Sequence, residues 1–359
     1  MDIPRLMALF EKRIEGDDSL LHLATLRFRE SGMGTELYAQ TPAELNALLG
    51  FRPSANTPVI VHLDRKLNLL DRQSCKLIID FANSFTGQIF GLVIHDQVDV
   101  RDRLDDYLTA VCDLDSRLSE LPASPYLFIE YAVGLEPELF IKLFKNIDDL
   151  QHISACIDVG HIGIRQAKNA YAENFPNKDL SCITLNDANL PEKIDDVEFA
   201  VKSALPTVLH IIKELSKLGK HLHFHLHDGH PLLRVAPYGL SDHISFLDKV
   251  PIPFKYKGDR FLHTMFGPEG LSAIVTEAIK HIDTNLISFT LEIHPTDKRL
   301  PPGNGAHLFP HWKDLTNAEK MNNWLSVLKS NHQLLLDEIN NALSIVQTKG
   351  QHYRNSLQL

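Results

Sequence analysis

The chain has 359 residues, of which 44% are hydrophobic and 23% charged, and its formal net charge is −10. That apolar content supports one barrel-sized domain as well as two ordinary ones. The acidic balance excludes a broad basic surface, so contact with nucleic acid would need a locally basic cleft, and a small anionic or neutral substrate is as easily accommodated.

In chain order, MDIPRLMALFEKRIEG (1–16) lacks the basic start and cleavage site of a secretion signal and reads as a capping helix. Seven β-rich apolar runs follow: LLHLATLRF (20–28), PVIVHL (58–63), IFGLVIH (89–95), YLFIEYA (126–132), ISACIDV (153–159), HLHFHLH (221–227) and LISFTLEI (286–293). The segments between them have helical periodicity. It is clearest over 101–121, where Leu104, Leu108, Val111, Leu114, Leu118 and Leu121 share one face. PLLRVAPYGLSDHISFLDKVPIPFKYKG (231–258) reads as a lid or substrate loop. After a polar break from PPGNG (301–305) that contains Trp312, a long helix carries Trp324, Leu325, Leu328, Leu334, Leu335 and Ile339 as a stripe that packs on the outside of the main body. The expected division is a barrel over 1–300 and a helical extension over 301–359.

Alternating strands and helices imply parallel strands joined by right-handed crossovers, and strands apolar on both faces imply a sheet covered by helices. A barrel or a doubly wound sheet would satisfy this. No G-x-G-x-x-G follows the first strand and no G-x-x-x-x-G-K-[ST] occurs, which favours the barrel. The expected fold is therefore a TIM (β/α)8-type barrel, atypical at its N-terminal strand, with a long loop insertion and an extra C-terminal helix. No apolar run reaches membrane-spanning length. Cys75, Cys112, Cys156 and Cys182 stand singly, which suits reduced thiols in the cytoplasm.

His62, His95, Glu130, Asp158, His225 and Glu292 each stand at or near the C-terminal end of a different run. In a barrel they converge on the face where active sites form. Imidazoles with carboxylates are a donor set for zinc, manganese, iron or cobalt. The plainer alternative, a polar ring held by its own hydrogen bonds, would bury several carboxylates without a cation, at considerable cost.

The stretches ACIDVGHI, HLHDG and TLEIHP, with YLFIEYAVG before them, resemble the xylose-isomerase-like TIM barrels and within them the endonuclease IV group, over roughly residues 55–295. The resemblance implies up to three zinc ions, with manganese as the alternative. His62 and His95 would bind the first, Glu130 would bridge first and second, and Asp158, His225 and Glu292 would complete the second. His161 would hold the third with His263, in HTMFGPEG, and Asp259; Asp242 and His243 are the rival pair. His227 is the rival of His225, while His221 and His223 are packing residues. The implied activity is phosphoester hydrolysis of the DNA-repair type, with Glu130 and Asp228 as catalytic residues and His294 in a supporting position. Where the group carries a bulky wedge that enters DNA, this chain has Arg65 and Lys66, followed by Asn68. These cations, with Arg260, would grip a phosphate and could not stack between bases. The competing class is a one-metal sugar isomerase or epimerase using only Glu130, Asp158, His225 and Glu292, with His62, His95 and His161 binding substrate hydroxyls. A third class is a barrel whose site has decayed.

Overall fold

In a computed structural model of the chain, which describes residues 3–9, 18–52, 54, 56–132, 135–233, 241–293 and 317–356, eight parallel strands close on themselves. They begin with β1 (Arg5–Leu9), β2 (Gly34–Tyr38), β3 (Val59–His62), β4 (Gly91–His95), β5 (Tyr126–Glu130), β6 (Ile153–Asp158) and β7 (Leu222–Leu226). Two small antiparallel pairs intervene after β7: β8 (Asp228–His230) with β9 (Ser241–Ile244), and β10 (Lys249–Tyr256) with β11 (Asp259–His263). Strand β12 (Ile287–Leu291) then closes the barrel between β7 and β1. This is a TIM (β/α)8 barrel. Its shell is made by α1 (Asp18–Ser31), α2 (Pro42–Leu48), α3 (Arg72–Ser84), α4 (Leu104–Ser119), α5 (Pro137–Lys145), α6 (Val159–Asn174), α7 (Leu190–Val201), α8 (Ala204–Ser216) and α9 (Gly267–His281), and α10 (Asn317–Ser356) packs on α9 and α1.

Local chemistry sets several of these boundaries. Thr41 accepts from the Glu44 amide ahead of α2, and Asp71 accepts from the Gln73 and Ser74 amides ahead of α3. Both answer amides that a helix leaves without partners in its first turn. The face predicted on α4 is present, with Val111, Leu114 and Leu118 buried. Inside the barrel, Met7, Ile60, Val93, Phe128 and Cys156 form a separate apolar cluster, while the larger core lies between strands and helices.

The N-terminal quarter corrects the sequence reading. Residues 20–28, expected as the first strand, belong to α1: Ala24 and Phe28 are buried while Leu26 between them is 48% exposed, a helical spacing. The expected capping helix is replaced by β1, and β2 was not anticipated. Met7, Ala8 and Leu9 are all buried because a barrel strand is covered on both faces, so five residues offer no alternation to separate strand from helix. Within the supposed lid over 231–258, Ser241–Ile244 and Lys249–Tyr256 supply strands to the two small sheets. No helix among the described residues is long and apolar enough to cross a membrane.

Candidate metal centre

Because the eight strands run parallel, their C-terminal ends form one rim, and the side chains there meet over the barrel axis. His62 closes β3, His95 closes β4, Glu130 closes β5, Asp158 closes β6, His225 is one residue from the end of β7, and Glu292 follows β12. Among the described residues, five groups of donors have all their atoms within 4.8 Å of one another; Cys156, His223 and His225 form one and Glu36, His62 and His225 another, and the remaining three overlap along the rim. The first is His62, His95 and Glu130; the second is Glu130, Asp158, His225 and Glu292; the third is Asp158, His161, His227 and His243.

Glu130 joins the first two groups. Its Oε2 lies 2.9 Å from His62 Nε2 and 3.5 Å from His95 Nε2, and its Oε1 lies 3.6 Å from both His161 Nδ1 and His225 Nδ1. Asp158 joins the second and third. One of its oxygens caps α6 by accepting the His161 amide at 2.7 Å, and its carboxylate also meets His161 Nδ1 at 3.2 Å and His227 Nε2 at 2.9 Å. Gly160 makes this packing possible: a Cβ there would lie 2.0 Å from His227 Cε1. The His227 ring accepts the His243 amide at Nδ1 (2.7 Å), so its Nε2 carries the proton and donates to Asp158. His227 therefore orients a carboxylate of the site. His243 sits in the left-handed backbone region at φ 58°, where a residue with a side chain is strained, and brings its Nε2 to 3.1 Å from Glu292 Oε1.

The proton inventory tests whether a cation fits. His62 Nδ1 faces the Leu63 carbonyl at 3.0 Å, which only accepts, so Nδ1 donates and Nε2 is left aimed at Glu130. His225 Nε2 faces Glu36 Oε1 at 3.0 Å, and its Nδ1 is buried, makes no hydrogen bond and lies 3.1 Å from Glu292 Oε2. At both places a nitrogen confronts carboxylate oxygens across a gap that only a proton or a metal ion makes favourable. Nitrogen and oxygen donors of this kind suit zinc or manganese.

Charge follows the same pattern. Burial acts to raise Glu130, but the His95, His225 and His161 imidazoles that face it outweigh burial and hold the acid well below the usual carboxylate range. Glu292 is depressed likewise, burial being outweighed by His243 and His225. Burial lowers His95 to about 4, so its ring is neutral and a lone pair is free for a ligand at neutral pH. Tyr38 on β2 donates to Glu292 Oε1 at 3.2 Å and lies against His62.

Of the residues expected from sequence, His62, His95, Glu130, Asp158, His161, His225 and Glu292 come together. Asp259 and His263 do not. They are exposed on β11, and His243 occupies the place foreseen for them. Asp228, expected as catalytic, is buried, and its oxygens accept the amides of Gly229, Phe266 and Gly267 at the start of α9. Asn68 donates to Asp99 Oδ2 and accepts the Leu70 amide. Arg65 and Lys66 are exposed on the loop after β3, and Arg260 is exposed on β11. His221 and His223 are buried beneath the site, as expected of packing residues. His294 lies outside the described residues.

Sequence reasoning missed Glu36 and Tyr38, ranked His243 only as a rival to the Asp259–His263 pair, and treated His227 as a rival of His225 when both contribute. A charged residue inside the short run GTELY (34–38) was the available signal for Glu36.

Fold and site together define a TIM barrel with a buried histidine–carboxylate cluster, suited to divalent metal, at the C-terminal ends of its strands. No protein-family model and no curated protein sequence matches the chain. Among solved structures, AsfvAP:AG matches 94% of this chain and 100% of its own at 14% identity and a TM-score of 0.49. A thermostable mutant of a xylanase (Xyn10A) from Cellvibrio japonicus matches 81% of this chain and 86% of its own at 10% identity and a TM-score of 0.42. Neither likeness bears on activity, and the strand order of this chain carries its fold assignment.

Proposed function

We propose that this protein is a metal-dependent enzyme that hydrolyses phosphoesters, in the manner of the endonuclease IV group it resembles, with up to three zinc ions and manganese as the alternative metal. The supporting observation is that Glu130 and Asp158 each stand between two donor groups, so the site is a chain of linked groups and not one isolated set. His62, His95 and Glu130 would hold one ion, Glu130, Asp158, His225 and Glu292 a second, and Asp158, His161 and His243 a third. Divalent cations held this way acidify a water molecule and stabilise charge on a leaving oxygen.

The protein's own residues set access and charge. The side chains of His62, Glu130, Asp158, His225 and Glu292 are at most 4% exposed, whereas those of His95 and His161 are 19% and 20% exposed. Substrate therefore approaches between His95 and His161. Arg65 and Lys66 on the loop after His62, with Arg260 on β11, are the cations we assign to the phosphate. DNA is the substrate class implied by the resemblance. The acidic chain and the cations in the wedge position argue for weaker dependence on duplex DNA than a dedicated abasic-site enzyme shows. A cytoplasmic location goes with the free cysteines.

The competing reading, a one-metal sugar isomerase, needs only the second donor group and leaves the first and third without a catalytic purpose. Elemental analysis of protein purified under metal-replete conditions separates the two: more than one transition metal per chain is expected, and Glu130→Gln should remove most of it together with activity. The loaded enzyme should cleave a small phosphodiester and an abasic duplex, and Arg65→Ala/Lys66→Ala should weaken both. Ketose turnover without phosphoester cleavage overturns the proposal in favour of isomerisation; absence of metal and of activation by any divalent ion overturns both.

A further inference from the structure

TIM-barrel interiors are ordinarily filled by layers of branched apolar side chains. Below the rim of this one lies a carboxylate, Glu36 of β2, with no measurable exposure. An ionised carboxylate in such a place costs several kcal/mol unless its oxygens are answered, and here each oxygen meets an imidazole. Oε1 is 3.0 Å from His225 Nε2, and Oε2 is 3.3 Å from His223 Nε2. The chain continues downward: His223 Nδ1 is 2.8 Å from Ser288 Oγ, which is 3.0 Å from His221 Nε2. One proton arrangement answers both Glu36 oxygens and the Ser288 hydroxyl, leaving the longer 3.2 Å approach of His223 Nδ1 to the Ser288 carbonyl without a proton. His221 donates from Nε2 to Ser288, the Ser288 hydroxyl donates to His223 Nδ1, and His223 and His225 both donate from Nε2 to Glu36. All three imidazoles are then neutral, and the carboxylate only accepts.

We propose that Glu36 is a positioning residue of the centre: by accepting the Nε2 proton of His225 it fixes that ring as the Nε2–H tautomer and aims the Nδ1 lone pair at the space bounded by Glu130, Asp158 and Glu292. His225 Nδ1 lies 3.1 Å from Glu292 Oε2, 3.6 Å from Glu130 Oε1 and 3.8 Å from Asp158 Oδ2. A turned ring or the other tautomer would present an N–H to that space, or no nitrogen at all. The purpose of this device rests on the metal reading above; its geometry does not. Carboxylates that orient a ligating imidazole generally contribute about 10–100-fold in metal affinity.

The test uses the full chain with ¹⁵N-labelled histidine, the His225 signals being assigned by their loss in His225→Asn. Native protein should show the Nε2–H tautomer at His225 when the spectra are taken at a pH above the titration of that ring, which, against the effect of burial, the surrounding carboxylates raise. Glu36→Gln, whose amide oxygen can accept the same proton, should keep that tautomer and bind zinc within a few-fold of native in competition with a chromogenic chelator. Glu36→Ala should give mixed tautomers and about 10–100-fold weaker zinc binding. Glu36→Asp, which keeps the charge but draws it back by one methylene, should behave like Glu36→Ala and serves if the alanine variant fails to fold. An unchanged tautomer in both the alanine and the aspartate variants overturns the proposal. Native protein that takes up no zinc defeats the metal reading alone, because the tautomer comparison still decides the role of Glu36.

Discussion

Asp228 shows how one residue type serves different ends a few ångströms apart. Burial raises its carboxyl to about 6, against the lowering effect of hydrogen bonds from Thr264 and the Gly267, Gly229 and Phe266 amides. Asp158, equally buried, is pulled the other way, burial being outweighed by His161 and His227. The difference is the neighbour: backbone amides stabilise an anion less than imidazoles that can take up a proton. A carboxyl raised in the fold contributes stability that is whole below its unfolded pKa and lost as pH rises through its folded one. For Asp228 that window runs from about 4 to about 6, and at about 1.4 kcal/mol per unit it holds roughly 3 kcal/mol. The stability of native protein minus that of Asp228→Asn, from denaturant unfolding of metal-free protein, should therefore fall between pH 4 and pH 7. A flat or rising difference would show that Asp228 does not titrate in this window.

At the scale of elements, α10 holds the rim together from outside. Trp324 donates from Nε1 to the carbonyl of Ile293, next to Glu292, at 2.7 Å. Buried Asn331 accepts the Phe246 amide at 3.2 Å and donates to Ser245 Oγ at 2.8 Å, just beyond His243. One helix thus fixes the segments carrying both residues, and the strained backbone at His243 needs such support. Asn331→Ala leaves the buried Phe246 amide without a partner and removes the donor to Ser245 Oγ, and should cost about 1–3 kcal/mol. Because it frees the segment that carries His243, it should also lower metal stoichiometry while leaving ions held by the first two groups in place. Full stoichiometry in that variant would detach α10 from the site.

For the whole molecule, the barrel gathers Glu36, Glu130, Asp158 and Glu292, each at most 2% exposed, around one end of its axis. Without a cation these carboxylates are answered, among the described residues, by hydrogen bonds and ion pairs with histidines and by the Tyr38 hydroxyl, so folded protein should gain stability from metal that the unfolded chain cannot match. A ligand bound only to the folded state adds roughly 3 kcal/mol at a hundredfold excess over Kd. Thermal unfolding should shift up by several degrees with zinc and return with chelator, and Glu130→Gln should not respond. A melting temperature indifferent to zinc in native protein would mean that the carboxylates are balanced by protons alone.

Much of this centre was legible in the chain. Six of the strands carry apolar runs long enough to be seen, and a polar residue at the end of a parallel strand must face the rim, so His62, His95, Glu130, Asp158, His225 and Glu292 could be read as one ring. What stayed hidden depended on partners distant in sequence. Strands β1 and β2 are too short to show a period of their own, and Glu36 acquires meaning only when β2 lies where its side chain reaches His223 and His225 on β7. Asp259 and His263 matched only the His-and-glycine part of the family pattern, with the Asp four residues ahead instead of two; pairing of β10 with β11 turns them to solvent, and His243 joins the third donor group from a left-handed backbone. Residue order determines which groups stand at strand ends, because that follows from local periodicity; which nitrogen faces which oxygen is decided by closure of the barrel, because it brings together side chains nearly two hundred residues apart in the chain, such as Glu36 and His225.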